Sequence, residues 1–528
     1  MQQLLLGNEA IAQGAIDAGI SGIYAYPGTP STEIMEYVQQ NTEAINDRVH
    51  CSWSTNEKTA METALGMSYA GKRSIVCMKH VGLNVAADPF MNSALTGVNG
   101  GLIVVSADDP SMHSSQNEQD SRFFGKFALI PVLEPSNQQE AYDMVGYGFD
   151  LSEKYKVTVL IRITTRLAHS RTGIIRTEKK KQNSLILPGD PHQFFLLPAM
   201  ARVKYKKLLA SQSIFEDISY SSVFNSFKAG ENHQIGIIAC GIAHNYVQEC
   251  VDAADLKYPI LKISQYPVPK KIIDWITSVC KTIMVFEDGY PIIEEQLKGL
   301  IDHDHLIKGR LSGDVPRDGE LNPSIVAEAL GLPLPDYIPI PSVVVNRPPA
   351  LCKGCSHIDT LLALNEAIHP YSTGRVFSDI GCYTLGVLPP FNAINTCVDM
   401  GASITMAIGA ANAGLIPAVA VIGDSTFTHS GMTGLLDAVL EKSPVTIIIS
   451  DNETTGMTGG QQSAATGKLE NICLGLGVEP DHLKIITPLK KNHDENVKVM
   501  AGEIEYNGVS VIISQRECIQ SAAKKHRN

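Results

Sequence analysis

The sequence predicts an α/β protein with more than one doubly wound parallel sheet. Two observations carry this. Short, continuous β-branched runs alternate with helical stretches from end to end, and 528 residues exceed what one hydrophobic core spans. The runs are SIVCMKH and GLIVVSA early, HQIGIIACG and KTIMVFED in the middle, and AVAVIGD, VTIIIS and GVSVIIS late. Runs that are apolar at every position, rather than at alternate ones, mark strands covered on both faces. The opening MQQLLLGNEAIAQG reads as a strand running into a helix, because it lacks the basic start of a signal peptide and carries Glu9 early.

Apolar residues make up 44% and charged residues 19%, which excludes a disordered chain, and a net charge of -12 argues against a nucleic acid or an anionic membrane as partner. No apolar run reaches the roughly 18 residues of a membrane span, so membrane insertion is not expected and a cytoplasmic location is. Eleven scattered cysteines suit a reducing compartment better than a disulfide framework. Two stretches read as boundaries: TEKKKQNSLILPGDPH, followed by a poorly periodic segment to about residue 232, and GLPLPDYIPIPSVVVNRPPA with its six prolines. They leave three α/β domains, 1–185, 233–330 and 351–528.

In the last of these, the strand AVAVIGD ends in Gly423, Asp424 and Ser425, and VTIIIS ends in Asp451 and Asn452. Either pair alone is an ordinary turn. Together, at the carboxyl ends of two buried strands, a carboxylate and an amide oxygen suit Mg²⁺ that keeps phosphate oxygens as its other ligands. The pattern resembles the diphosphate motif of thiamine diphosphate enzymes, GDG followed by NN. In that resemblance Asp424 and Asn452 bind Mg²⁺ through their side chains and Thr454 through its carbonyl, while Gly423 and Ser425 border the diphosphate. Such an enzyme also needs a glutamate on a separate domain to activate the aminopyrimidine ring. NEKTAMETALG offers Glu57 at a helix start, where an acid also complements the helix dipole.

LCKGCSH holds Cys352 and Cys355 two residues apart, with His357 after them, a spacing open to zinc, a redox dithiol or an iron–sulfur cluster. Thr29 in YPGTPSTEI has two readings, as a substrate contact or as an N-cap with Pro30 at the first helical position. His80 in MKHVGLN and the polar loop Ser114 to Arg122 are either pocket lining or solvated loop.

LLGNEAIAQGAIDAG, YPGTPSTEI, NEKTAMETALG, MKHVGLNVAADP, DDPSMHSSQNEQDSR, SDIGCYTLG and GDSTFTHSG with DNETTGMTGGQ together resemble the alpha subunits of the indolepyruvate ferredoxin oxidoreductase family, within the 2-oxoacid:ferredoxin oxidoreductase superfamily. The resemblance implies a pyrimidine-binding domain over 1–185, a transketolase C-terminal-like domain over 233–330 and a diphosphate-binding domain over 351–528. It implies Glu57 as the activating glutamate, and Thr29 and His80 as catalytic-site residues. It further implies a 4Fe-4S cluster on Cys352, Cys355, Cys382 and Cys518, with Gly381 and Cys382 beside the cofactor.

The implied activity is oxidative decarboxylation of an aryl 2-oxo acid with coenzyme A, electrons leaving through the cluster to ferredoxin or another carrier. The implied assembly is a homodimer of this subunit within a hetero-oligomer containing a small beta (gamma-type) subunit. Pyruvate-specific relatives carry an arginine just after the strand matching GLIVVSADDP, where this chain has acids, so a bulkier arylpyruvate is expected. The chain ends ten residues after Cys518, and the ferredoxin-like domain of many such subunits is expected to be absent. The rival expectation is a non-oxidative thiamine diphosphate decarboxylase or carboligase whose cysteines are structural or hold zinc.

Overall fold

The computed structural model describes residues 2–300, 305–334, 341–345 and 349–525. The chain forms two compact units, Met1–Ile338 and Pro339–Asn528. The division falls inside the proline-rich stretch 331–350, of which 335–340 and 346–348 lie outside the described residues.

The main sheet of the first unit runs in the order Gln265–Tyr266, Val132–Leu133, Val159–Thr164, Leu102–Asp108, Ser74–Lys79, Gly22–Ala25, His50–Trp53. Every neighbouring pair is parallel except the first. Ser74–Lys79, Leu102–Asp108 and Gly22–Ala25 are buried at every residue. Helices cover both faces, so neither face of these strands had to be polar.

From Gly22–Ala25 the chain first adds His50–Trp53 on one side and then Ser74–Lys79 on the other. The topological switch point therefore lies between the ends of Gly22–Ala25 and Ser74–Lys79, which is where open α/β sheets bind ligands. A second sheet in this unit, Leu306–Lys308, Thr282–Phe286, Gly236–Cys240, Ile260–Ile263, Ser226–Lys228, is parallel but for its last strand. The N-terminal strand Gln2–Leu6 forms a separate antiparallel ribbon with Arg171–Ile175 and stays out of the main sheet. Between the sheets, the segment that looked poorly periodic holds the helices Pro198–Ala210 and Gln212–Tyr220. The first of these buries no residue, so it has no apolar stripe for a periodicity to reveal.

A buried ionic network crosses the first unit. Arg122 donates from Nε to Asp120 at 2.9 Å and from Nη1 to Glu287 at 3.1 Å, and also reaches the carbonyl of Tyr290 at 2.8 Å. Arg162 donates to Asp108 at 2.7 Å, to Glu134, and to the carbonyl of Asp288 at 2.7 Å. Arg310 donates to the carbonyl of Glu287 at 3.0 Å, and Tyr266 donates to Glu134 at 2.6 Å. Asp108, Glu134, Arg162 and Tyr266 lie on or just after strands of the main sheet, and Glu287, Asp288 and Arg310 just after strands of the second, so the network ties the two sheets together.

Burial drives the carboxyls of Glu287 and Asp288 up, to about 7 and about 6. Burial acts on Asp120 too, but Arg122 and Arg162 beside it hold it down at about 2.

In the second unit the sheet order is Val376–Ser378, Ala418–Gly423, Val445–Asp451, Ser510–Gln515, Leu483–Ile486, all parallel. No described helix in either unit is long and apolar enough to cross a membrane.

The protonated form of Glu287 stabilises the fold relative to an unfolded chain whose carboxyl titrates near 4.5. This contribution is complete below about 4.5 and is lost as pH rises through about 7. Glu287→Gln, measured by chemical denaturation across that interval, is expected to flatten the decline in stability with pH. An unchanged slope contradicts the assignment.

Candidate active site

The second unit assembles most of the motif residues. Strand Ala418–Gly423 pairs with Val445–Asp451 so that Gly423 lies opposite Ser450, and the two tips carry Asp424 and Asp451 side by side. Asp424 is buried, its Oδ1 accepts from the backbone of Ser425 at 2.8 Å, and its Oδ2 is buried without a hydrogen-bond partner. Burial first, and Asp451 second, push its carboxyl up to about 7. A divalent cation between these tips would relieve both effects, and the unpartnered oxygen is the lone pair such an ion takes.

Asn452 accepts from the backbone of Thr454 at 3.2 Å and sets its amide nitrogen 3.2 Å from Nε2 of His357. An amide nitrogen only donates, so Nε2 accepts and the ring carries its proton on Nδ1. Burial pushes His357 down to about 4, which keeps it in that neutral form. His357 therefore orients Asn452.

Gly381 and Gly423 owe their small size to Tyr383. A Cβ at Gly423 would lie 2.7 Å from the tyrosine ring, and one at Gly381 would lie 2.2 Å from it. Tyr383 is itself buried and donates to Asp379. Ser425 accepts from the hydroxyl of Thr455 at 3.1 Å.

Cys352, Cys355, Cys382 and Cys518, far apart in sequence, line one cavity of about 290 Å³ together with His357, Asn452 and Gly456. The backbone of Cys518 donates to the carbonyl of Asn452 at 3.1 Å, and Cys355 precedes the helix Ser356–Ile368 that carries His357. Burial, reinforced by the other three sulfurs, raises the Cys382 thiol to about 11, and burial raises Cys355 as well. Cationic iron among four such sulfurs would reverse this and hold them as thiolates, and the donor set fits a cluster. Among the described residues no three His, Cys, Asp or Glu side chains converge on a single metal ion.

The first unit holds the other candidates. Glu57 opens the helix Glu57–Tyr69, but the cap is supplied by Asn56, whose side chain accepts from Thr59 N at 2.9 Å. The helix therefore does not need Glu57 as its cap, and Glu57 is buried, 6% exposed. Its carboxylate fills the space above Gly82, where a Cβ would lie 2.4 Å from Oε1. Gly82 was not singled out from the sequence, since nothing local distinguishes it from any helical glycine.

Thr29 is not an N-cap. Ser31 donates to the carbonyl of Gly28 at 2.8 Å and Thr32 Oγ1 accepts from Gly28 N at 3.0 Å, so a turn occupies 28–31 and the helix begins at Thr32. Thr29 instead receives a hydrogen bond on its carbonyl from Ser114 Oγ at 3.4 Å. His80 is buried and its Nε2 lies 3.2 Å from the carbonyl of Asn117. The polar loop thus divides: Ser114 and Asn117 meet Thr29 and His80, whereas Asp120 and Arg122 belong to the buried network.

Two family models match the chain. Residues 13–219 match the family described as pyruvate flavodoxin/ferredoxin oxidoreductase, thiamine diphosphate-binding. Residues 379–500 match the C-terminal thiamine pyrophosphate-binding domain of thiamine pyrophosphate enzymes. The indolepyruvate oxidoreductase subunit IorA of Archaeoglobus fulgidus is 38% identical, over 97% of this chain and 86% of that one. The IorA subunit of Pyrococcus horikoshii is 39% identical, over 98% and 85%. The chain belongs to the IorA family.

That family is one of thiamine diphosphate-dependent 2-oxoacid:ferredoxin oxidoreductase alpha subunits. A 2-oxoglutarate:ferredoxin oxidoreductase from Magnetococcus marinus shares the fold at a TM-score of 0.50 and 20% identity, over 58% of this chain and 62% of that one.

Gly82→Ala places a methyl group in the volume of the Glu57 carboxylate and is expected to lower kcat about 10²-fold, the effect of a displacement of about 1 Å. The helix Glu57–Tyr69 should stay folded, because Asn56 still caps it. Wild-type turnover in the assembled enzyme would show that the carboxylate position is immaterial.

Proposed function

We propose that the chain is the catalytic subunit for oxidative decarboxylation of an aryl 2-oxo acid, such as indolepyruvate or phenylpyruvate, with coenzyme A. The observation that carries this reading is the shared cavity: the four cysteines line the same space as Asn452 of the diphosphate motif. That arrangement suits a one-electron acceptor standing beside the cofactor, which a non-oxidative decarboxylase has no use for.

When bound, thiamine diphosphate would supply a carbanion for the keto carbon, and a 4Fe-4S cluster would take the two electrons left by departing CO₂ one at a time and pass each on. Asp424 Oδ2, the Asn452 side-chain oxygen and the Thr454 carbonyl would hold Mg²⁺ and through it the diphosphate. Glu57 would hold a proton at its carboxyl against the aminopyrimidine ring. Cys352, Cys355, Cys382 and Cys518 would hold the cluster. In balance, one 2-oxo acid anion and one coenzyme A thiol give an acyl-CoA, CO₂, one proton and two electrons. The electrons pass to ferredoxin or another carrier, and a small partner subunit completes a hetero-oligomer around a dimer of this chain. The indolepyruvate named for the IorA relatives supports an aryl substrate over pyruvate, as does the acid Asp109 just after Leu102–Asp108, where the resemblance expects an arginine in pyruvate-specific relatives.

Glu57→Gln in the assembled enzyme is expected to cost about 10²- to 10⁴-fold in turnover. The anaerobically purified variant should keep its visible iron–sulfur absorbance and equal iron and sulfide, so that the loss lies in cofactor activation. Unchanged turnover, colourless protein loaded with zinc, or a clear preference for pyruvate over indolepyruvate would each refute its part of the reading.

A further inference from the structure

We propose that Lys79 binds the carboxylate of the substrate, through its ammonium group, at the switch point of the main sheet of the first unit. This assignment rests on the 2-oxo acid reading above.

Lys79 is the last residue of the strand Ser74–Lys79 and so stands on one side of that switch point. The Gly28–Thr29 turn, which follows Gly22–Ala25, stands on the other. The two are in contact, since a Cβ on Gly28 would lie 3.2 Å from the Cβ of Lys79.

The lysine is 8% exposed, and its ammonium donates only to neutral oxygens, the carbonyl of Ser114 at 2.7 Å and its hydroxyl at 3.3 Å. Among the described residues no carboxylate pairs with it. The nearby Asp109 is occupied by the backbone of Ser114 at 2.8 Å and by the hydroxyls of Ser115 at 2.6 Å and Thr165 at 2.7 Å. Arg122 and Arg162, the other buried cations of this region, are committed to the ionic network. A buried lysine without an ion-pair partner is rare and costly, and an anionic ligand removes the cost. Burial lowers its titration to about 8 while Asp109 works the other way, so the group is charged at neutral pH.

The 2-oxo acid carries its negative charge on the group that leaves as CO₂. An ammonium on that carboxylate holds the ground state more strongly than the transition state, in which the charge is moving away. Removing it should therefore weaken binding without slowing the chemical step. The competing role is structural: Lys79 straps the loop 111–119 through Ser114 and touches no substrate.

The assembled enzyme carrying Lys79→Met, Lys79→Gln or Lys79→Arg separates these roles. The KM for indolepyruvate should rise about 10- to 100-fold in the two neutral variants, the range of a charge-assisted hydrogen bond, with kcat held. Indole-3-propionate should inhibit the wild-type and Lys79→Arg enzymes more strongly than indole-3-propionamide does, and this preference should vanish in both neutral variants. Equal weakening of acid and amide, or a fall in kcat with KM unchanged, would assign Lys79 to the loop and overturn the proposal. Wild-type enzyme inactive on every 2-oxo acid would overturn the functional reading instead, whatever the variants do.

Discussion

Two carboxylates at the tips of adjacent parallel strands set the problem that the second unit solves. Register places Asp424 and Asp451 side by side, and burial leaves no water to screen them. Burial first, and the neighbouring Asp451 second, raise the Asp424 carboxyl to about 7. A cation between the tips would relieve both effects, and the side chains around the pair fix its geometry. Tyr383 fills the space that Gly381 and Gly423 leave open, fixing the backbone before Asp424. His357 accepts from Asn452 and so turns the amide oxygen away from itself. The same histidine sits at the start of a helix entered directly from Cys355, so the chain that sets the amide also sets one cysteine. Cys518 hangs from the carbonyl of Asn452 on the far side. Diphosphate motif and cysteine cavity are thus one piece of structure.

The first unit treats buried charge differently. Arg122, Arg162 and Arg310 are matched internally by Asp108, Asp120, Glu134, Glu287 and Asp288, and the network fastens one sheet to the other. Acids outnumber the arginines, and burial raises the carboxyls of two of them, Glu287 and Asp288. Lys79 departs from this pattern: it is buried, cationic and left with neutral oxygens only.

All seven apolar runs read from the sequence are strands, because burial on both faces removes every reason for a polar residue and leaves an unbroken signal. That Asp424 and Asp451 stand at neighbouring strand tips was legible for the same reason, since strand tips can be located once strands are. The helix Pro198–Ala210 was not legible, because it buries nothing and its sequence carries no stripe. Thr29 before Pro30 imitates a helix start, and only the hydrogen bonds around Gly28 show the chain turning there instead. Arg122 reads as part of a polar loop, although its partners lie as much as 168 positions away.

Gly82 and His357 show why residue type alone undersells a site. Glycine is informative where something occupies the room its missing side chain leaves. Here that occupant is the Glu57 carboxylate, on a helix that comes earlier in the chain. His357 follows CxxC and so invites a reading as a metal ligand, yet burial makes it neutral and the Asn452 amide claims its Nε2. A ligand histidine would have to turn that nitrogen, or the orphaned Nδ1, toward the metal. Turning Nε2 would release the amide that orients the diphosphate site. The histidine therefore contributes more by holding Asn452 than it would as a fifth ligand beside four cysteines.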